Sequence, residues 1–263
     1  MKQIIKRGSF FTLMFLLLGC LSLYAADNDL VTKQITIKLE EAGTLPDRIA
    51  SSRKYKITNL KIIGEINGTD LSMIREMAGR NSRGDYTDGK LSVLDLSEAK
   101  IVEGGDYYYN DNYSNNYYYT SNDVIGNYAF DGCSGLTSLT LPAGFTEIGY
   151  NAFSGCSGLK EVRFCINDNL DTYLTKGHPY INVDCGIKYY INDKEITSIE
   201  IPSNVTTLGD CVFQGCSGLT SLTLPAGITS IGDEAFRGCS GLTSLTLPAG
   251  ITKIGENAFS GCI

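Results

Sequence analysis

An α/β solenoid is the fold class the sequence predicts: a right-handed coil with a short-stranded parallel sheet on one face, mostly irregular coil opposite, and helices in an N-terminal cap. Three observations predict it. A 23-residue unit begins at Leu136, Leu159, Ile196, Leu219 and Leu242, and the stretch from Leu219 to Gly241 restarts at Leu242 almost letter for letter. Each unit opens with apolar residues spaced like Leu136, Leu139 and Leu141, so that alternate side chains enter a core from a short strand. The units beginning at Leu136, Ile196 and Leu219 close on a turn of the type Gly155-Cys156-Ser157-Gly158.

A fixed period in the twenties with an L-x-x-L-x-L core is the mark of a leucine-rich-repeat coil. The elements follow in order. Residues 1–26 read as an export signal: Lys2, Lys6 and Arg7 precede the apolar run Phe10 to Leu18, and small Ala25 and Ala26 precede polar Asp27. That run is too short for a permanent transmembrane helix, and no later run is longer. Leu17-Leu18-Gly19-Cys20 also reads as a lipobox, so cleavage near Ala25 or Ala26 and lipidation of Cys20 both stand.

Residues 27–123 form the expected cap with irregular first rungs. Thr36 to Leu39, Ile57 to Ile62 and Leu91 to Leu96 are strand patterns, and Leu45 to Ala50 is a short helix. From Asp70 to Gly79 the apolar residues Leu71, Ile74, Met77 and Ala78 share a helical face, with Asp70 as the start and Gly79 as the stop. Gly104 to Asp123 is a low-complexity loop in which Tyr107, Tyr108, Tyr109, Tyr113, Tyr117, Tyr118 and Tyr119 alternate with Asn, Asp and Ser.

Regular repeats fill 124–263, led by the half unit Ile125 to Cys133. Pro142 removes a backbone donor and ends each strand's pairing, Gly144 frees the turn, and Ile148, Ala152 and Phe153 return to the core on the opposite side. A rung cannot bury its apolar face alone, so rungs need neighbours and ends need caps. The unit beginning at Leu159 carries an insertion, 165–195, which holds His178, the one histidine, together with Cys165 and Cys185.

Composition narrows the function. A formal charge of −7, three units more negative without Lys2, Lys6 and Arg7, argues against nucleic acid or an anionic membrane as partner. Cys133, Cys156, Cys216, Cys239 and Cys262 share one repeat position and stack as parallel side chains about 4.8 Å apart. A disulfide wants Cβ atoms nearer about 3.8 Å and facing each other, so a ladder of reduced thiols is expected. Off the ladder, Cys165 with Cys185 is the one bridge worth testing. His178 lies in the turn-like Lys176-Gly177-His178-Pro179 and reads as a solvated loop residue. With no second histidine, no phosphate loop, no EF-hand spacing among Asp106, Asp111 and Asp123, and the closely spaced pair Cys211/Cys216 accounted for by strand turns and the thiol ladder, no catalytic residue, metal or cofactor is expected.

At residues 136–156, 219–239 and 242–262 the chain matches L-x-x-L-x-L-P-x-x-[IV]-T-x-I-G-x-x-A-F-x-G-C and so resembles the BspA-like leucine-rich-repeat family, the Treponema pallidum type. Residues 196–216 depart from it at Cys211-Val212-Phe213, and 159–165 keep only the strand half. The strings Leu60 to Asp70, Leu94 to Ser97 and Ile101 to Gly105 resemble the cap of Bacteroides-type members. The resemblance implies a secreted or cell-surface bacterial protein, adhesin-like and without a catalytic residue set.

Outward strand positions read Ser138/Thr140, Glu161/Arg163, Ser198/Glu200, Ser221/Thr223 and Ser244/Thr246, a face without aromatics. Protein-binding hot spots favour Tyr, Trp and Arg. The candidate partner-binding residues are therefore the seven loop tyrosines, with Glu161 and Arg163. The expected function is non-enzymatic binding of an extracellular or cell-surface protein. The alternatives are a glycan stacked on the tyrosines, or a scaffold that self-associates through the uncapped rung ending at Gly261-Cys262-Ile263.

Overall fold

The computed structural model describes residues 29–111, 114–164, 188–191 and 193–262. The proposed signal with Cys20, and the inserted residues His178, Cys165 and Cys185, lie outside the described residues.

Strand β1 (Ile35–Lys38) and helix α1 (Leu45–Arg48) lead into β2 (Asn59–Ile66), helix α2 (Gly68–Met77) and β3 (Val93–Ile101). Then come β4 (Gly104–Asp111), β5 (Asn116–Thr120), β6 (Val124–Ile125), β7 (Ser138–Thr140), β8 (Glu147–Ile148) and β9 (Glu161–Phe164). They are followed by β10 (Lys188–Ile191), β11 (Lys194–Glu195), β12 (Ser198–Glu200), β13 (Thr207–Leu208), β14 (Ser221–Thr223), β15 (Ser230–Ile231) and β16 (Lys253–Ile254). The main sheet has seven strands in the order β1-β2-β3-β7-β9-β10-β11. Its ladders are parallel except β10 with β11. β12 and β14 pair separately, and two further parallel ladders, β6-β8 and β13-β15-β16, form from the return stretch of each repeat.

The leucine spacing explains this layout. Leu136, Leu139 and Leu141 are fully buried, and so is Ile148 on the returning stretch. Between them Pro142 has no N–H to donate, and β7 stops at Thr140. Core rings then stack from rung to rung: Phe130 on Phe153 at 5.6 Å, Phe213 on Phe236 at 5.3 Å and Phe236 on Phe259 at 5.3 Å. Beside each ring the thiol finds a partner. Cys156 Sγ donates to the Phe130 carbonyl at 3.0 Å, Cys239 to Phe213 at 3.1 Å and Cys262 to Phe236 at 3.2 Å. These cysteines are free, as the ladder spacing implied. The slot therefore wants a small apolar group that can also donate, which cysteine supplies.

A second ladder was not visible in the hydropathy. Asn127 Oδ1 accepts the Tyr150 N–H at 2.7 Å, Asp210 that of Asp233 at 2.8 Å, and Asp233 that of Glu256 at 2.8 Å. The glycine preceding each donor is required, because a Cβ on Gly149 would lie 2.3 Å from Asn127 N. The residue after each donor position is left-handed throughout: Tyr128, Asn151, Cys211, Glu234 and Asn257 have φ between 53° and 58°.

In the cap, α2 begins one turn earlier than Asp70 suggested. Asn67 is the N-cap, accepting the Thr69 N–H at 3.0 Å, and Asp70 returns a bond to Asn67 N at 2.9 Å. Asp70 was read as the cap because it precedes the first apolar residue, but its carboxylate has a larger task. It also accepts the N–H groups of Gly43 and Leu45, pinning α1 to α2. From the other face of α2, buried Arg75 donates to the carbonyls of Tyr128 at 2.7 Å, Ala129 at 3.0 Å and Asp131 at 3.2 Å. The cap is thereby fixed to the first regular rung.

Candidate binding surface

The tyrosine segment, expected as a loop, is a β-hairpin. β4 and β5 pair antiparallel, with Tyr109 opposite Tyr118 and Asn110 opposite Tyr117. Tyrosine has high strand propensity, and two runs of three tyrosines, 107–109 and 117–119, supply the two strands. Bonds from Asp106 N to Thr69 Oγ1 at 2.9 Å and from Asn110 N to the Ser82 carbonyl at 2.7 Å hold β4 to the cap.

The hairpin divides its tyrosines. Tyr108 is 1% exposed, and its hydroxyl donates to the Asn127 carbonyl at 2.8 Å. Burial pushes that phenol far above its ordinary pKa. Tyr108 is thus an anchor and is removed from the candidate binding residues; the register shift between Gly104 and Tyr109 turns it inward. Tyr109 and Tyr118 are half-buried against Tyr128, at 5.0 and 5.2 Å. Burial first, then the nearby Asp131 charge, pushes Tyr109 up to about 12. Tyr107, Tyr117 and Tyr119 form a separate group, with ring centroids 4.9 and 6.5 Å apart in edge-on contact. Tyr117 and Tyr119 are 47% and 56% exposed. Tyr113 lies outside the described residues.

Sequence reasoning missed two members of the aromatic surface. Tyr128 and Tyr150 lie 6.0 Å apart and carry the tyrosine cluster from the hairpin onto the first regular rungs. Their signal was the repeat itself, which sets successive turns side by side.

Glu161 and Arg163 stand elsewhere, on the outer face of the main sheet. The strand registers place Thr36, Lys61, Asp95, Thr140, Arg163 and Tyr190 in one row, and Asn59, Val93, Ser138, Glu161 and Lys188 in the next. Arg163 bonds Glu161 and Asp193, both at 3.2 Å, and its guanidinium lies 4.0 Å from the Tyr190 ring centre. Ser138 donates to the other Glu161 oxygen at 2.5 Å. This face was expected to lack aromatics. Tyr190 corrects that, because β10 belongs to the insertion and adds a strand beside β9. The opposite charges here largely satisfy one another, and each exposed pair contributes at most about 1 kcal/mol. The hairpin and the row are two surfaces, not one.

The family model described as "BspA type Leucine rich repeat region" matches residues 101–176 and 186–263, in six copies. A search of curated proteins found no match. Among solved structures, the chain is similar to a T. pallidum leucine-rich-repeat protein: 24% identity, 53% of this chain and 48% of that one, TM-score 0.24. It is similar to a leucine-rich cell surface protein of Faecalibacterium prausnitzii A2-165: 29% identity, 62% of this chain and 43% of that one, TM-score 0.36. The third is a leucine-rich-repeat protein of Bacteroides ovatus: 17% identity, 88% of this chain and 59% of that one, TM-score 0.31. This chain therefore spans between 43% and 59% of those three.

Proposed function

The chain belongs to the BspA-type leucine-rich-repeat family, and from that membership we propose that it is a non-enzymatic, adhesin-like protein of the bacterial surface. It reaches that surface through the export signal in residues 1–26 and grips an extracellular or cell-surface protein through the tyrosine hairpin. The observation that supports this most is the outer trio of half-buried Tyr107 and exposed Tyr117 and Tyr119, carried on a hairpin whose own core anchor is Tyr108. Rigid aromatic rings with polar tips offer large contact area at low entropic cost, which is what protein-recognition surfaces use. The Arg163–Tyr190 stack on the sheet face is a secondary contact of the same residue types.

The test is binding of the purified chain to an array of matrix proteins and glycans, beside a variant carrying Tyr107→Ser, Tyr117→Ser and Tyr119→Ser. Removing three clustered rings, each worth about 1 kcal/mol or more at a hot spot, lowers affinity by at least about tenfold. Undiminished protein binding by the variant would move the site to the row containing Arg163. Capture of polysaccharide and of no protein would replace the protein partner by a glycan, for which the same rings supply the stacking surface.

A further inference from the structure

Strand β3 outlasts its neighbour on one side. It pairs with β2 from Val93 to Ile101 across one bulge, but with β7 only from Val93 to Asp95. In a parallel ladder successive residues turn their main-chain groups to opposite sides. Val102 N donates to Ile66 O at 2.9 Å, so Lys100 also turns toward β2, and Ala99 and Ile101 turn away from it. On that far side the Ile101 carbonyl accepts the Asp123 N–H at 2.9 Å. Among the described residues, the Ala99 N–H, the Ala99 C=O and the Ile101 N–H have no ladder partner. Ala99 and Ile101 are only 7% and 5% exposed, a setting in which unpaired main chain is rare.

A groove of about 430 Å³ lies at this edge, lined by residues 97–101, by Asp123 and by the turn from Pro142 to Phe145. Where other rungs place buried Val205 and Ile228, this one places half-buried Phe145. A Cβ on Gly144 would meet nothing within 4 Å, so the turn leaves room beside it. The exposed charges of the strand are drawn to β2: Lys61 lies 2.7 Å from Glu98, and Glu65 lies 4.0 Å from Lys100. Asp123 is held at φ 56° by its bond to Ile101 and by Thr146 N on its own carbonyl at 2.7 Å. Its carboxylate has no ion pair among the described residues.

We propose that this groove binds an extended segment of a partner protein, added to the sheet as a strand on β3, with a Lys or Arg side chain on Asp123. A polypeptide offers main-chain donors and acceptors at the spacing that Ala99 and Ile101 require. Its apolar side chains meet Phe145, and its cation meets the carboxylate at the Ile101 end. The wall at 142–145 admits one strand and keeps a second sheet from pairing edge to edge. The groove is at the foot of the tyrosine hairpin, where Glu103 N donates to Asn122 Oδ1 at 3.0 Å, but it uses none of the hairpin's rings.

The experiment is selection of hexapeptides from a random displayed library on the full chain, then fluorescence anisotropy of the selected peptide and amide exchange by NMR. The selected peptide carries a basic residue. Gly144→Trp, which fills the groove, weakens it at least about tenfold, and so does N-methylation of its alternate amides. Gly144→Ala leaves binding unchanged, and Asp123→Asn, suited to this φ, removes the preference for a basic residue. The Ala99 and Ile101 amides exchange faster than those of Lys100 and Val102 in the free chain and slow when the peptide binds. Retention of no peptide, or equal binding by Gly144→Trp, overturns the proposal. So do Ala99 and Ile101 amides as protected as Lys100 in the free chain, which would mean that another part of the chain or a second copy already fills the edge. The variant with Tyr107→Ser, Tyr117→Ser and Tyr119→Ser binds the peptide undiminished, so failure of this site and failure of the hairpin are read separately.

Discussion

Among the described residues, five sit at one repeat position in the left-handed region, and two of them, Asn151 and Asn257, suit it. A side chain other than Gly or Asn there costs about 1–2 kcal/mol in the worst case, through contact of Cβ with the following carbonyl. Cys211 is one of the others, at φ 55°, in the rung where Val212 stands in place of the motif alanine. Cys211→Asn should therefore raise stability by about 0.5–1 kcal/mol, read as a higher urea midpoint with an unchanged slope. A lower midpoint would show that the thiol contributes more than the strain removes. Tyr128 accepts the same strain, but it supplies a ring to the tyrosine cluster, stacked at 5.0 Å on Tyr109. None of this was legible in the sequence, because hydropathy reports which side chains enter the core and is silent on the sign of φ.

Among elements, the strands were the most legible and the hairpin the least. The x-x-L-x-L patterns located β2, β3, β7 and β9, since a buried face of period two leaves little freedom of register. Helix α2 was seen and its start misplaced, because Asp70 satisfies local capping and a tertiary demand from Gly43 and Leu45 together. The hairpin was taken for a loop because repeated Tyr, Asn and Asp carry no apolar contrast; its structure comes from anchors on α2 and on Ser82 that are distant in sequence. This bears on experiment, because excising 107–119 would remove the buried Tyr108 along with the exposed rings. Tyr108→Ala should cost about 3–5 kcal/mol as a large-to-small core substitution. The triple serine variant should stay within about 1 kcal/mol of the parent, as surface changes do. Chemical denaturation of the two distinguishes an anchored hairpin from a merely sticky one; equal losses would mean that the outer rings are structural.

At the scale of the molecule, burial raises the thiols of the ladder and the inner phenols of the hairpin together. Cys133 is pushed up to about 11 and Cys239 to about 12 by burial, and Tyr109 likewise to about 12. In each case the folded state holds a proton that the unfolded chain releases, thiols from an ordinary value of 9.0 and phenols from 10.0. Stability from these groups is therefore complete below pH 9 and is lost as pH rises through 9 to 12. An alkaline unfolding series followed by tyrosinate absorbance and circular dichroism should show the fold weakening in that window. A flat stability profile across it would mean that these groups are solvated in the native state. The ladders have one more consequence. Among the described residues, the core phenylalanine stacks and the Asx bonds join a residue to its equivalent one rung away, and each thiol bond reaches a carbonyl of the adjacent rung. Gain or loss of one whole unit, such as the near-identical stretches 219–241 and 242–262, would thus leave each surviving bond a counterpart. Length in this lineage is a quantity that heredity can count in units.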